Sequence, residues 1–460
     1  MCGVFGIRSA ERDVARISYF GLFALQHRGQ ESAGIAVSDR GRLTVIRDMG
    51  LVAQVFDEEQ LQALPGDVAI GHTRYSTTGS TLWANAQPLV HHGGARTVAL
   101  GHNGNLTNTA EVRDALATDG IALGATSDTE AIAALIAHDP AELTQAVARA
   151  MARLEGAYSV VALAEGKLIG FRDPHGIRPL AIGRLGDDWV LASETCALDL
   201  IGAHYERDVR PGEVVVIDED GLHATQALPE GRQALCIFEH VYFARPDSVL
   251  AGAEVHGVRV RMGERLAAEA PADADLVMPI PDSGTPAAVG FSRASGIPYS
   301  EGLIKNRYVG RTFIQPDEAL RQQGIRMKFN PLAEVAEKRL VIVDDSIVRG
   351  STMRQLVAML FDSGAAEVHV RVSSPPIVSP CFYGIDMADE EQLAAAHRSV
   401  EQMRELIGAT SLHYLSLEGM QAATRLPEAS VCRACFTRDY PTRVPDARNL
   451  AKLRFEPARS

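Results

Sequence analysis

The sequence predicts two domains of different class: an α+β domain over residues 2–231 and an α/β domain over residues 232–442, followed by a polar tail over 443–460. Two observations carry this. The first half consists of short β-rich runs punctuated by glycine, with few helical stretches. The second half alternates strand and helix, the grammar of a parallel sheet with crossover helices. The length agrees, since 460 residues exceed what one hydrophobic core ordinarily organises.

Taken in order, "VFGI", "AGIAVS", "LTVIRD", "VAIGHTR" and "VALGHNG" read as strands from their β-branched content and glycine-bounded ends. Residues 12–29, "RDVARISYFGLFALQHRG", and the segment "DTEAIAALIAHD" read as helices, the second opening on Asp128 as an acidic cap. "GAYSVVALAEGKLIGFRD" and "RPLAIGRLGDDWVLASE" read as successive antiparallel strands with polar turns. The polar Pro/Gly segment "ALPEGRQ", 227–233, is the hinge expected between domains. Beyond it "DLVMPIPDSG", "TPAAVGFSRASG", "LVIVDDSIVRG", "STMRQLVAMLFDSG" and "AEVHVRVSS" read strand, helix, strand, helix, strand. In the second of these helices Met353, Leu356, Val357, Leu360 and Phe361 recur at helical spacing and are expected to pack on the sheet.

Composition removes several function classes. With 45 basic and 58 acidic residues the net charge is −13, a poor balance for nucleic-acid binding, so any anion site must be a local basic island. The N-terminus lacks a signal-peptide pattern and no apolar run reaches membrane-spanning length, so a cytoplasmic protein without a membrane partner is expected. In that compartment the six cysteines are expected as thiols, catalysts or ligands rather than disulfides.

The stretch "LVIVDDSIVRGST", 340–352, carries the most chemistry in the second half. Asp344 and Asp345 end a buried strand, where open α/β sheets bind ligands. The turn through Val348, Arg349, Gly350, Ser351 and Thr352 then runs into a helix N-terminus that favours phosphate. A ribose 5-phosphate satisfies both parts, with hydroxyls and magnesium on the acids and phosphate in the turn. The spacing does not match a nucleoside-triphosphate P-loop. Upstream, "PIPDSGTP" (279–286) places Asp282, Ser283 and Gly284 at a second strand end. Between the two loops, residues 304–328 carry Lys305, Arg307, Arg311, Arg321, Arg326 and Lys328 against Asp317 and Glu318. A basic segment of this length is expected to act as a lid over a polyanion.

Cys2 becomes the first residue if Met1 is removed, and its own α-amine can then take the thiol proton. Cys432 and Cys435 form C-R-A-C and, with Cys236 and Cys381, could supply four thiolates. Spacing alone leaves zinc and a four-iron cluster both open. Cys196 reads as a small buried hydrophobe.

Resemblance adds roles to these residues. The motifs "MCGVFGI", "LQHRGQESAGIAV", "GHTRYSTTG", "GHNGNL" and "TSDTEAI", in that order, resemble the N-terminal-nucleophile glutamine amidotransferase domain, an αββα sandwich. The 340–352 block resembles the signature of type I phosphoribosyltransferases, and 279–286 resembles their pyrophosphate loop. From Cys2 to about Phe436 the chain is similar to the amidophosphoribosyltransferase family. "CIFEHVYFARPDS", "SPCFYGID" and "CRACF" resemble its iron–sulfur branch.

The resemblance implies that glutamine and 5-phosphoribosyl 1-diphosphate give 5-phosphoribosylamine, pyrophosphate and glutamate, with ammonia passing between two sites in the committed step of purine synthesis. Cys2 is then the nucleophile, Asn103 and Gly104 the oxyanion hole, and Arg74 and Asp128 the ligands of the glutamine α-carboxylate and α-ammonium. Asp282, Ser283, Gly284, Lys305, Arg307, Lys328 and the 344–352 block bind the sugar diphosphate, with Mg2+ on Ser283, Asp344 and Asp345. Cys236, Cys381, Cys432 and Cys435 hold one structural 4Fe–4S cluster per subunit. Purine nucleotides are implied as feedback inhibitors and a homotetramer as the assembly. Two alternatives are a related amidotransferase with another acceptor and a non-enzymatic sensor of phosphoribosyl diphosphate. The first lacks a reason for "IVDDSIVRGST", and the second leaves Cys2, Asn103 and Asp128 without a role.

Overall fold

The computed structural model describes residues 1–75, 81–306, 325–387 and 389–444. Two antiparallel sheets face each other in the first half. One runs in the order His204–Asp208, Ala181–Leu185, Asp188–Ala192, Gly3–Arg8, Val68–Arg74, Ser32–Asp39, Arg42–Met49. The other runs Gly221–Gln226, Glu213–Asp218, Lys167–Arg172, Gly156–Ala164, Thr97–Leu106, Leu89–His92.

Alternation along each strand builds the layers. In Gly3–Arg8, Val4 enters the core between the sheets with Ile70, Val161 and Leu168. Phe5 and Ile7 point the other way, onto helices Val14–Ala24 and Thr195–Ile201. Helices Thr109–Thr118, Asp128–His138 and Leu143–Met151 cover the outer face of the second sheet, which completes the αββα sandwich.

The structure refines several sequence expectations. The hairpins 156–172 and 181–192 are antiparallel pairs as read, but they belong to different sheets. The 12–29 helix spans only Val14–Ala24, where Asp13 accepts from Arg16 N–H at its start, and 25–28 form turns. Asp128 is not the cap: Ser127 occupies that position, and the Asp128 carboxylate instead accepts from Leu106 N–H at 3.0 Å.

The second half is a parallel sheet in the order Leu276–Pro279, Arg339–Asp344, Glu367–Val372, Ser411–Tyr414. Helices Val255–Glu269 and Thr285–Ser295 pack on one face, and Ser351–Asp362 and Val400–Ile407 on the other. Met353, Leu356, Val357 and Leu360 are buried as expected. Phe361, at the margin of that stripe, is 38% exposed.

A single apolar cluster joins the halves, with Met1, Ala157 and Ile177 from the first packed among Ile237, Val241, Val258 and Tyr383 of the second. The segment 227–233 is a strap rather than a free hinge: Leu228 N–H donates to Gly212 O and Gly231 N–H to Pro174 O. No described helix is long and apolar enough to cross a membrane.

Candidate functional site

Strand register assembles the first site. Gly3 pairs with Thr73, so one residue further Cys2 lies opposite Arg74. Asn103 sits on the facing sheet in Thr97–Leu106. Its amide oxygen accepts from Cys2 N–H at 3.1 Å, and its Nδ2 is buried without a partner among the described residues. A buried amide donor left unpaired is costly, which marks a position prepared for an incoming acceptor.

Gly104 follows with φ +150°, and a Cβ there would lie 2.0 Å from Ala157 O, so only glycine fits beside this donor. Tyr75 flanks the thiol, its N–H donating to Cys2 Sγ and its carbonyl accepting from it, both at 3.5 Å. Arg74 is 2% exposed, with Glu31 Oε2 at 3.8 Å from its guanidinium. Asp128 is buried, and His102 Nδ1 lies 3.6 Å from its carboxylate. His72 Nε2–H donates to His102 O (3.1 Å), and burial lowers its pKa to about 3, so it is a neutral core histidine.

The second site lies at the C-terminal ends of two neighbouring parallel strands. Pro279 pairs with Val343, which sets the 280–284 loop beside Asp344 and Asp345. Gly284 is pressed onto that strand, since a Cβ would lie 2.3 Å from Val343 O. Asp345 N–H donates to Asp344 Oδ1 (2.9 Å), and Ser346 Oγ donates to Asp345 Oδ1 (2.5 Å). Burial raises both carboxyls above the ordinary range, and the neighbouring Asp345 raises Asp344 further. Ser283 and Arg259 act against this at Asp345. Such a pair favours a cation.

The 346–350 turn ends at Gly350, φ +78°, immediately before helix Ser351–Asp362, and Ser351 and Thr352 are exposed at its first turn. Val348 and Arg349 tie the turn to the 392–394 segment: Ala394 N–H donates to Val348 O (2.9 Å), and Arg349 donates to Gln392 Oε1 (2.5 Å). Lys305 pairs with Asp282 at 2.5 Å, and Lys328 O accepts from Asn306 N–H at 2.7 Å. Arg307, with most of the expected lid, falls in 307–324, outside the described residues.

The chain segments that carry the four cysteines lie side by side. Strands Leu235–Cys236 and Val431–Cys432 run parallel and align Cys236 with Cys432. Val378 and Ser379 N–H donate to Cys435 O, which draws the Cys381 segment alongside. Burial pushes Cys236 up to about 11 and raises Cys432 and Cys435 as well. Among the described residues, no three His, Cys, Asp or Glu side chains are grouped so as to hold one metal ion. Cys196 is buried and apart, as expected.

One feature of the site escaped sequence reasoning. Arg28 donates from Nε to Cys2 O (2.9 Å) and from its fork to Glu194 and Glu239, all within the protein interior. "LQHRGQ" showed an arginine in a motif, but nothing flanking Glu194 or Glu239 announces burial.

Residues 72–200 match the family described as "Glutamine amidotransferase domain". Over nearly its whole length the chain is similar to curated amidophosphoribosyltransferases. That of Mycobacterium tuberculosis is 52% identical across 98% of this chain and 88% of its own, and that of Synechococcus elongatus 53% across 99% and 94%. Among solved structures, glutamine phosphoribosylpyrophosphate amidotransferase from B. subtilis, complexed with ADP and GMP, superposes with a TM-score of 0.91. It is 46% identical, over 96% of this chain and 98% of that one. A structure described as the allosteric regulatory enzyme of purine biosynthesis gives 0.93 at 44% identity, over 98% of both chains. Sandwich, parallel-sheet domain and full-length similarity agree: this chain belongs to the amidophosphoribosyltransferase family.

Proposed function

We propose that this chain releases ammonia from glutamine at Cys2 and delivers it internally to C1 of 5-phosphoribosyl 1-diphosphate, forming 5-phosphoribosylamine, pyrophosphate and glutamate for purine synthesis. The observation that carries the first step is the unpartnered Nδ2 of Asn103 beside Cys2. Thiolate attack on the glutamine side-chain amide creates an oxyanion, and Asn103 Nδ2 with Gly104 N–H are its donors. Burial lowers the Met1 α-amine to about 5. Once Met1 is removed, the α-amine of Cys2 is the base assigned to take the thiol proton. A diazoketone analogue of glutamine should therefore label Cys2 alone among the cysteines. Labelling elsewhere, or nowhere, contradicts the assignment.

Arg74 and Asp128 are assigned to the α-carboxylate and α-ammonium of glutamine. Arg74→Lys keeps the charge but loses the fork, and should raise KM for glutamine about 10–100-fold with kcat little changed. Initial rates over a glutamine series decide this.

At the second site, Asp282, Ser283, Gly284, Lys305, Arg307 and Lys328 are assigned to the diphosphate, and residues 348–352 to the 5-phosphate. The donor chemistry of the Asp344–Asp345 pair fits Mg2+, held with Ser283, which would neutralise charge on the departing pyrophosphate. A carboxyl with a raised folded-state pKa binds more protons folded than unfolded. Its stability contribution is thus present in acid and declines as pH climbs through the folded pKa. At pH 7.5 without divalent cation, Asp344→Asn should therefore raise Tm, by about 2–4 °C if roughly 1 kcal/mol is regained. Magnesium should raise Tm in the parent and not in the variant. A lower Tm for the metal-free variant would contradict this.

Cys236, Cys432 and Cys435, which are buried, and the half-buried Cys381 are assigned to a 4Fe–4S cluster, as in the iron–sulfur branch of the family; the pairing of Cys236 with Cys432 supports this reading. The cluster's role would be structural, joining three chain segments. A cytoplasmic location, where thiols stay reduced, goes with this assignment. A homotetrameric assembly and purine nucleotides as allosteric inhibitors complete the reading; the ADP and GMP held by the B. subtilis relative support the second of these.

A further inference from the structure

We infer that Arg178 and Glu239 are positioning residues that tie the cysteine segments of the second domain to the reactive residue of the first. The four-thiolate reading above underlies only the iron arm of this inference.

A continuous line of directional contacts runs between the two places, through side chains with no solvent exposure. Arg178 donates from Nε and Nη2 to Tyr383 O, at 2.9 and 2.6 Å. Tyr383 N–H in turn donates to Cys381 Sγ at 3.4 Å. The remaining arm of Arg178, Nη1, reaches Glu239 Oε1 at 3.3 Å, and Glu239 lies three residues beyond Cys236. The same carboxylate receives the fork of Arg28 at 2.9 and 3.1 Å. Arg28 Nε then ends the line on Cys2 O at 2.9 Å.

Glu194 balances the second guanidinium. It is gripped from the second domain by Ser248 Oγ (2.6 Å) and Arg245 N–H (2.9 Å). Two guanidinium groups face two carboxylates in the interior, with the half-buried His27 Nε2 also 2.7 Å from Glu194. Removing one leaves a buried partner uncompensated, and the rest must shift.

A second contact makes the same connection. Asn105 Nδ2 donates to Phe382 O at 3.0 Å, and Gly384, φ +104°, lies against the backbone of Gly104. Thus the 382–384 segment presses on the strand that carries Asn103 and Gly104, while Arg178 and Glu239 connect it to the carbonyl of Cys2. The consequence is that the placement of Cys2 depends on how the Cys236 and Cys381 segments are held.

The test uses full-length protein purified without oxygen, as parent, Arg178→Met, Arg178→Lys and Glu239→Gln. The readouts are the rate of Cys2 labelling by the glutamine diazoketone, as a function of its concentration, and bound iron per chain. Arg178→Met should lower the limiting labelling rate at least about tenfold, the scale of a small misplacement of a reacting group. The half-saturating concentration should stay within about threefold of the parent, and Arg178→Lys should recover part of the rate. A loss of folded protein would lower the labelled fraction and leave the rate of the remainder unchanged. Glu239→Gln keeps size and shape, and should show the same slowing if Arg178→Met does not fold. In air, iron should leave Arg178→Met faster than the parent. Parent-like limiting rates in folded Arg178→Met or Glu239→Gln overturn the inference. A parent protein without iron overturns the cluster assignment instead, and the labelling rates still decide the connection.

Discussion

Cys2→Ala is expected to abolish glutamine-dependent formation of 5-phosphoribosylamine and to cut glutamate release by roughly 10⁴-fold or more, as loss of an attacking group does elsewhere. The reaction with added ammonia should survive. The two halves of this expectation come from different parts of the molecule. Cys2 alone presents a thiol to the Asn103 donor, with Tyr75 backbone on either side, so no neighbour can replace it. Asp344, Asp345 and the 346–350 turn belong to a separate parallel sheet, whose strand pairing the change of one sulfur to hydrogen leaves untouched. Pyrophosphate release measured with ammonium chloride at alkaline pH, against release with glutamine, separates them. Loss of both reactions would mean that Cys2 holds the domains together rather than attacking glutamine.

Asn103→Ala should lower kcat of glutamine hydrolysis about 10²–10³-fold, the cost of one oxyanion donor, with KM for glutamine changed little. The split follows from geometry. The amide oxygen of Asn103 is already engaged by Cys2 N–H, whereas Nδ2 has no described partner until negative charge develops. An interaction made only with the transition state moves kcat and kcat/KM together. Equal kcat with a raised KM would show that Asn103 binds the ground-state amide instead. Asn103→Asp offers a sharper form: similar size, but a carboxylate repels the oxyanion and should be as damaging as alanine.

How far the sequence disclosed this molecule differs by level. Strands such as Gly3–Arg8 and Arg339–Asp344 were legible because β-branched residues bounded by glycine have few other uses. Their partners were less so, since a period of two shows which face is buried but not against which strand. The 156–172 and 181–192 hairpins consequently looked continuous although they lie in different sheets.

The paired acids and the phosphate turn could be read from residue chemistry. Asn103, Arg74 and Asp128 needed the motif resemblance, because each alone is an ordinary polar residue. The alignment of Cys236 with Cys432 rests on strands of two residues, too short to leave a pattern. Least visible was the Arg28–Glu239–Arg178 line. A glutamate in "FEHV" reads as surface, and only tertiary packing makes it the shared counter-ion of two buried arginines.

The central claim is that two chemistries in one chain are joined by ammonia transfer. The most direct test supplies oxygen-free enzyme with glutamine, 5-phosphoribosyl 1-diphosphate and magnesium, and counts glutamate and pyrophosphate in the same reaction. Equal release of the two, with neither formed at full rate when the partner substrate is withheld, is the expected result. Glutamate released at full rate without pyrophosphate would contradict the account, because the amidase would then serve some other acceptor.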